Sequence, residues 1–366
     1  MPRKMKPYSF LFISSLATLI LSSPLKSEAQ TEVHPYQPGI TQEGITYFLP
    51  HTRLHIVVRA QRESYTPGEY AAFAQRFLDA PNVEQQPFDT WTLQQIEVVP
   101  YGVADRTQAY TIKLNHKTSA PLVELAPDGR LLSVNTTADA LPTLETPSVK
   151  KISKDTPQGN QYKTQEILRA GSTVARAEIT AQEIYDIREN RGLLAKGQAD
   201  FNPKDGEQLK TMMVQLDERE NALLSLFLGT KSTEEHVFTF EVAPQQMQQN
   251  LDLFRFSRYL GLVDINDVSG TPIRLQISDQ ATLPEVEESP KKKKEVEDLR
   301  YRIPSNAAIR IFDESRVWFD GIIPIAQFGR IEHLGGVLFN KKFNTKVRLS
   351  PITGRVEKLD LEQFSK

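Results

Sequence analysis

The chain has 366 residues, 39% hydrophobic and 25% charged, with 18 glycines and 23 prolines. Those values exclude collagen-like, coiled-coil and wholly disordered chains, and the length allows two or three packed domains. The formal charge of −2, from 44 basic and 46 acidic residues, lacks the basic excess of a general nucleic-acid binder. With no cysteine there is no disulfide, thiolate metal site, cysteine nucleophile or lipidated N-terminal cysteine.

Residues 1–29 read as a secretory signal. Arg3, Lys4 and Lys6 form a cationic start, Phe10 to Leu21 an apolar stretch, and Ser27 and Ala29 are small residues at the −3 and −1 positions of a cut after Ala29. A membrane anchor is the competing reading. The apolar run would give only ~18 Å of helix against a hydrocarbon core of ~30 Å. The chain is therefore expected to be exported, with no transmembrane segment in the mature chain.

Residues 30–43, with Pro35, Pro38 and Gly39, read as a flexible tail. A β-rich lobe with one short helix is expected over 44–136. Leu54, Ile56 and Val58 alternate with Arg53, His55 and Val57, the period-2 signal of a strand that Pro67-Gly68 closes. In Glu69–Leu78 the residues Tyr70, Phe73, Ala74 and Phe77 share one helical face. Strands follow at Thr90–Val99 and Ala109–Leu114. Leu122–Leu125 and Leu131–Val134 flank the turn Pro127-Asp128-Gly129.

Residues 137–175 read as a linker and 176–230 as an antiparallel helical hairpin. Thr180 and Glu183 match a capping box, which would start its first helix near 178, and Asp205 is a weaker start for the second. Gly229 is placed to end it. Glu220 interrupts the apolar stripe Leu216, Leu223, Leu224, so it would be buried and need a partner. The expected partners are Arg188 or Arg191 on the facing helix. Strands at His236–Val242, Leu251–Phe256 and Ile273–Ile277 make 231–282 a set that packs with the C-terminal lobe. Residues 283–298 form a charged loop. In it Lys291–Lys294 are balanced by Glu285, Glu287, Glu288, Glu295, Glu297 and Asp298, so they read as solvated and not as a nucleic-acid patch. Residues 299–366 complete a second β-rich lobe, with a late turn at Pro351-Ile-Thr-Gly354.

The expected fold is α+β: two β-rich lobes, sandwich-like or open barrel, flanking the helical hairpin. Landmarks recur in the two lobes. Trp91 precedes Tyr101-Gly102 by the interval at which Trp318 precedes Phe328-Gly329. Tyr47-Phe-Leu-Pro50 has a counterpart in Tyr301-Arg-Ile-Pro304, and Gly129-Arg130 in Gly354-Arg355. One reading is a duplicated β unit; the other is that such residues are ordinary strand ends and hairpin turns.

Motifs that carry chemistry are scarce. His51 and His55 lie four strand steps apart, ~13 Å, too far to chelate one ion on a straight strand. Asp264-Ile-Asn266-Asp267-Val-Ser-Gly270 has an acidic-loop look, but an EF-hand needs glycine at position 6, where Ser269 stands. An Asx-rich turn is the better reading. The sequence has no GxSxG, GxGxxG or P-loop pattern. Asn135-Thr-Thr137 fits a glycosylation sequon that carries little weight here. No residue receives a catalytic, cofactor-binding or metal-binding role.

Several segments nevertheless form a familiar set: YFLPHTRLHIVV near the start, IYDIRENRGLLAKGQADFNPKDGEQLKTMMVQLDERENALLSLFLG, LFRFSRYLGLVD, PIAQFG and LFNKKFNTKVRLSPITGRVEKLD. Together they resemble an exported Bacteroidetes family known only as a domain of unknown function, over most of the mature chain. The resemblance implies an envelope location in a Gram-negative bacterium, periplasmic or associated with the outer membrane, and carries over no functional residues. The expected role is a non-enzymatic binding or scaffold protein whose partner is an envelope protein or glycan, without cofactor or nucleic acid. A periplasmic hydrolase of glycan or peptide and an assembly subunit are the alternatives.

Overall fold

A computed structural model of the chain describes residues 45–112, 122–152, 158–200, 203, 205–284, 299–334 and 343–363. The proposed leader, the tail at 30–43 and the charged loop over most of 283–298 lie outside these residues. Strands make up 49% of the structure and helices 23%, in sheets that curl into half-barrels, so the class is α+β with β-rich lobes.

The framework is a pair of long hairpins. β1 (Ile45–Thr66) pairs antiparallel with β2 (Phe88–Ile112), and β10 (Leu299–Phe312) pairs antiparallel with β11 (Val317–Leu334). The first sheet has the order β2-β1-β6-β5, with β6 at Thr230–Val242 and β5 at Ser148–Lys151. The second has the order β11-β10-β9-β7-β8, with β7 at Met247–Ser257, β8 at Gly261–Val263 and β9 at Thr271–Asp279. Alternation drives both. Leu54, Ile56 and Val58 of β1 bury one face, and Ala307, Ile309 and Ile311 of β10 do the same. The two faces meet in one apolar interior with Ile273, Leu275 and Ile277 of β9. Phe240 of the first sheet stacks on Phe254 of the second, with ring centroids 5.1 Å apart.

A third sheet, β13-β12-β4-β3, joins the two small hairpins that follow the long ones. These are β3–β4 (Val123–Leu125, Leu131–Val134) and β12–β13 (Phe343–Leu349, Val356–Gln363). Its interior holds Leu131, Val134, Val347 and Leu349 with Tyr47 and Leu49 of β1 and Leu299 of β10. Burial along β1 changes phase at Leu49 and Pro50, beside a register shift that leaves Arg106–Gln108 of β2 unpaired. β10 breaks register at Pro304, whose missing N–H suits it to a bulge.

The two units repeat each other in detail. In the first turn the Ala126 amide donates to the Arg130 carbonyl and the Gly129 amide to the Ala126 carbonyl. In the second the Ser350 amide donates to the Arg355 carbonyl and the Gly354 amide to the Ser350 carbonyl. The Phe48 amide then donates to the Gly129 carbonyl (3.0 Å) and the Arg302 amide to the Gly354 carbonyl (3.2 Å). Phe48 and Arg302 each follow the tyrosine of the matched landmarks. Trp91 and Trp318 lie near the start of the second strand of their hairpins. These bonds support the reading of two copies of one β unit.

The helices form a layer where β1 ends and β6 begins. α3 (Thr173–Ala195) and α4 (Gly206–Leu228) pack as a hairpin around Ile184, Ile187, Leu223 and Phe227, with Tyr70 and Ala74 from the short helical turns that follow β1. Gly68 lies so close to the Leu226 and Ser225 carbonyls that a Cβ would not fit. Gly229, at φ +75°, turns α4 directly into β6.

Several expectations change. α3 begins at Ser172, whose hydroxyl accepts from the Ala175 amide, and not near 178. Thr180 is buried inside the helix and donates to the Arg176 carbonyl, while Glu183 pairs with Arg219, so the capping-box spacing there is coincidental. Residues 137–175 contain β5 and α2 (Gln165–Arg169). The helix expected over Glu69–Leu78 is a 3₁₀ turn at Ala71–Phe73 leading into α1 (Ala74–Leu78). β2 is continuous where separate strands were expected. The residues of 231–282 divide, β6 joining β1 and β7–β9 joining β10.

Candidate functional site

The polar residues of the sequence mostly find structural work. Glu220 is buried on α4. Arg188 Nε donates to its Oε1 at 2.6 Å, and Arg191 lies 2.6 Å from its Oε2. Both expected arginines are therefore engaged, and Asp217 meets the same Nη1 of Arg191 as Glu220 does. His55, only 4% exposed, has Nδ1 3.0 Å from Glu241 Oε1 and Nε2 2.8 Å from the Glu145 carbonyl. In the acidic loop, Asp264 Oδ1 accepts from the Asn266 amide and Asp267 Oδ1 from the Ser269 amide, each at 2.9 Å. These are Asx turns. The hydroxyl and amide of Ser269 hold the exposed Asp267 carboxyl below its usual range. The structure does not bring Glu220 and Asp264 together in one cluster: each is bonded within its own local structure.

A polar seam crosses the meeting of the sheets. Thr52 Oγ1 donates to the Ile352 carbonyl and accepts from the Ala326 amide. Gln327 accepts from the Thr52 amide and donates to the Thr52 carbonyl, both at 3.0 Å. Arg302 donates to Asp105 at 2.7 Å, and Arg130 bridges Asp128 and the Pro351 carbonyl. The Tyr47 hydroxyl donates to the Arg300 carbonyl and accepts from its amide; burial pushes its pKa well above the ordinary phenol value. Apart from the Arg130–Asp128 pair within the first unit, these bonds join the two units.

Two places show side chains the framework does not use up. One is the end of the second sheet where β7, β9 and β10 align, since Thr271 pairs with Phe256 and Phe312 with Arg274. Tyr259 and Leu260 project from the β7–β8 turn, 68% and 58% exposed, and Ile265 and Val268 from the β8–β9 loop, 44% and 86% exposed. The loop is built. Arg255 donates to the Ile265 carbonyl (2.9 Å) and the Gly270 carbonyl (3.2 Å), the Asx turns fix its course, and the Trp91 amide donates to the Arg258 carbonyl at 2.7 Å. Apolar side chains are thus held out to solvent on an ordered backbone.

The other is an acid pair. Glu357, in the bulge of β13, lies beside Asp139, and Arg348 of β12 lies 3.1 Å from Asp139. Burial, with the neighbouring Asp139, pushes the Glu357 carboxyl above its usual range, against Arg348 and the Ser350 hydroxyl. Sequence reading missed both places. Isolated exposed apolar residues have no period, and acids 218 positions apart carry no spacing signal.

Among the described residues no group of three or more histidine, aspartate and glutamate side chains is placed to hold a metal ion, and no helix is long and apolar enough to cross a membrane. No curated protein and no solved structure matches the chain. A family model described as a domain of unknown function, DUF4831, matches residues 43–357, and the chain belongs to that family.

Proposed function

We propose that the chain is an exported binding or scaffold protein of a Gram-negative cell envelope, periplasmic or associated with the outer membrane, whose partner is an envelope protein or glycan. The observation that carries the binding role is the pinned loop that holds Tyr259, Leu260, Ile265 and Val268 in solvent. Exposed apolar residues on a rigid sheet end are what a recognition surface requires. The three-part leader motivates export. The test is capture of a discrete component from envelope extract by the mature chain. Replacing Tyr259, Leu260, Ile265 and Val268 by serine should abolish capture and leave the melting temperature unchanged. An unchanged set of captured molecules would refute the binding surface.

The hydrolase reading draws on the acid pair, because a carboxyl pushed upward by burial and a neighbouring acid is the kind of group general acid catalysis uses. Turnover of envelope glycan or peptide that Glu357→Gln abolishes would favour it over the binding role.

A further inference from the structure

β8 and β9 pair with opposite edges of β7, so the chain between them must cross it. Arg255 fixes where. Its side chain donates to the Ile265 and Gly270 carbonyls, so residues 264–270 run over the face of β7 that carries Arg255, across two strand spacings or ~10 Å. Tyr259 and Leu260 leave the end of the same strand. The buried Ser257 hydroxyl accepts from both of their amides, at 3.3 and 3.4 Å. Gly261, at φ +75°, then lies so close to the Trp91 ring that a Cβ would not fit. Tyr259, Leu260, Ile265 and Val268 thus stand on one small projecting corner whose backbone is fixed.

We infer that this corner inserts into the surface of a phospholipid bilayer, with Leu260, Ile265 and Val268 entering the acyl layer and Tyr259 at headgroup level. The inference rests on the reading of these loops as the recognition surface, and it makes the bilayer itself their occupant in place of a protein or glycan. Three of the four side chains are aliphatic. The anchors of protein interfaces are rich in Trp, Tyr and Arg and poor in Leu and Val. Hydrocarbon accepts Leu, Ile and Val, and Tyr gathers at its margin. Residues 258–260 and 264–269 are all exposed, so the side chains project from the corner and can enter a soft layer that offers no matching groove. The charges suit a zwitterionic surface. Arg255 and Arg258 equal Asp264 and Asp267 in number, and the neighbouring turn, with Asp313, Glu314 and Arg316, adds no basic excess. Both aspartates are turned onto their own loop: Asp264 Oδ1 accepts from the amide and the side chain of Asn266, each at 2.9 Å, and Asp267 Oδ1 from the Ser269 amide. Arg255 is spent on carbonyls. Arg258 is exposed, its side chain has no partner among the described residues, and it is left to meet a lipid phosphate.

The test is flotation of the mature chain with vesicles of phosphatidylcholine and phosphatidylethanolamine. The chain should float with them. Raising the salt from about 0.1 to 0.5 M should change the bound fraction less than about twofold, because apolar insertion is not screened. Serine at Tyr259, Leu260, Ile265 and Val268 together should lower binding about tenfold or more. Val268→Asp, at a side chain 86% exposed and therefore harmless to folding, should lower it several-fold. With no cysteine in the chain, an environment-sensitive fluorophore on Val268→Cys reports insertion. Its emission should shift to the blue on vesicles. The same label on Leu122→Cys, 70% exposed beside β3 at the other end of the long hairpin, should not shift. No flotation, flotation that the serine variant keeps, binding only to phosphatidylglycerol vesicles and lost in salt, or equal shifts at both labels would overturn the inference. If the serine variant loses a captured envelope protein or glycan and the wild type does not float, the bilayer is refuted and the recognition surface stands. If the wild type floats and the captured set is unchanged, the bilayer stands and the protein or glycan partner is refuted.

Discussion

The two long hairpins follow one plan and are dressed differently. Between β1 and β2 the chain inserts a helical turn that anchors α3 and α4; between β10 and β11 it makes a tight turn at Asp313–Arg316. The outer face of β1 buries His55 and Val57. On β10 and β11, Ile322 is 68% exposed, and it pairs across the strands with Ala308. What the hairpins share is the inward face, the phase change near the proline, and the turn whose glycine carbonyl accepts an amide of the unit's own first strand, Phe48 or Arg302. The shared features are those that close the common interior. The features that differ are free to carry function.

The comparison breaks if the sheets fold apart. Phe254 of the second sheet is 1% exposed and stacks on Phe240 of the first. Phe254→Ala should cost ~3–5 kcal/mol. Far-UV and near-UV circular dichroism should still follow one denaturation curve, because both sheets lose the same interior. Separate transitions would mean separate lobes.

The helical layer is the largest difference, and Glu220 tests what holds it. Replacing Arg188 and Arg191 together with leucine leaves a buried carboxylate without its partners, which should cost ~3 kcal/mol. Glu220→Leu leaves arginines that are 41% and 34% exposed and can be rehydrated, so it should cost less. Denaturant midpoints of the two variants give the order, and the reverse order would show that the pair does not lock the hairpin.

The repeated turns should respond alike. Gly129 sits at φ +87° against the Phe48 ring and Gly354 at φ +73° against Pro50. Alanine at either position meets both a left-handed backbone and a crowded neighbour, so each change should cost ~1–2 kcal/mol or somewhat more. A much smaller cost at one of them, measured by thermal melting, would show that the matched bonds do not matter equally.

The local devices were legible in the sequence because they are short-range. Alternation at Leu54, Ile56 and Val58 marked β1, the turns announced themselves through Pro and Gly, and Asp205 and Gly229 bounded α4. Glu220 could be read because one acid on an apolar stripe demands a cation on the facing helix. Strand order could not be read: Thr66 pairs with Thr230 through contacts that no local pattern encodes. β5 is Ser-Val-Lys-Lys, fully exposed, with no alternation to betray it. The continuity of β2 was hidden by the unpaired residues at Arg106–Gln108, and the start of α3 by a Thr-x-x-Glu spacing inside the helix. The apolar loop and the acid pair depend on the same long-range arrangement, so they appear only in the folded chain.

The smallest expected effect separates the tryptophans that mark the two units. Trp91 stands against His236, with ring centroids 4.6 Å apart, and under Arg62. Trp318 donates its indole N–H to Asp313 Oδ2 at 2.8 Å, with Arg316 over its ring. Burial pushes the Asp313 carboxyl up, but the amides of Ser315 and Arg316, the Ser315 hydroxyl and the indole outweigh it and hold the group below its usual range. A carboxyl held low in the folded state contributes stability that is present above the ordinary carboxylate pKa of ~3.9 and lost as the pH falls through the lower folded value. Four hydrogen bonds on one partly exposed acid at a hairpin turn should make that loss less than ~1 kcal/mol, too small to unfold the chain. It is still visible, because protonation weakens the bond to the indole. Tryptophan emission of Trp91→Phe, which leaves Trp318 alone, should therefore titrate below the ordinary carboxylate range while the far-UV spectrum stays constant. Asp313→Asn should erase the transition, and Trp318→Phe should lack it. An acid transition that survives Asp313→Asn would assign the response elsewhere and remove the distinction drawn between the two hairpin ends.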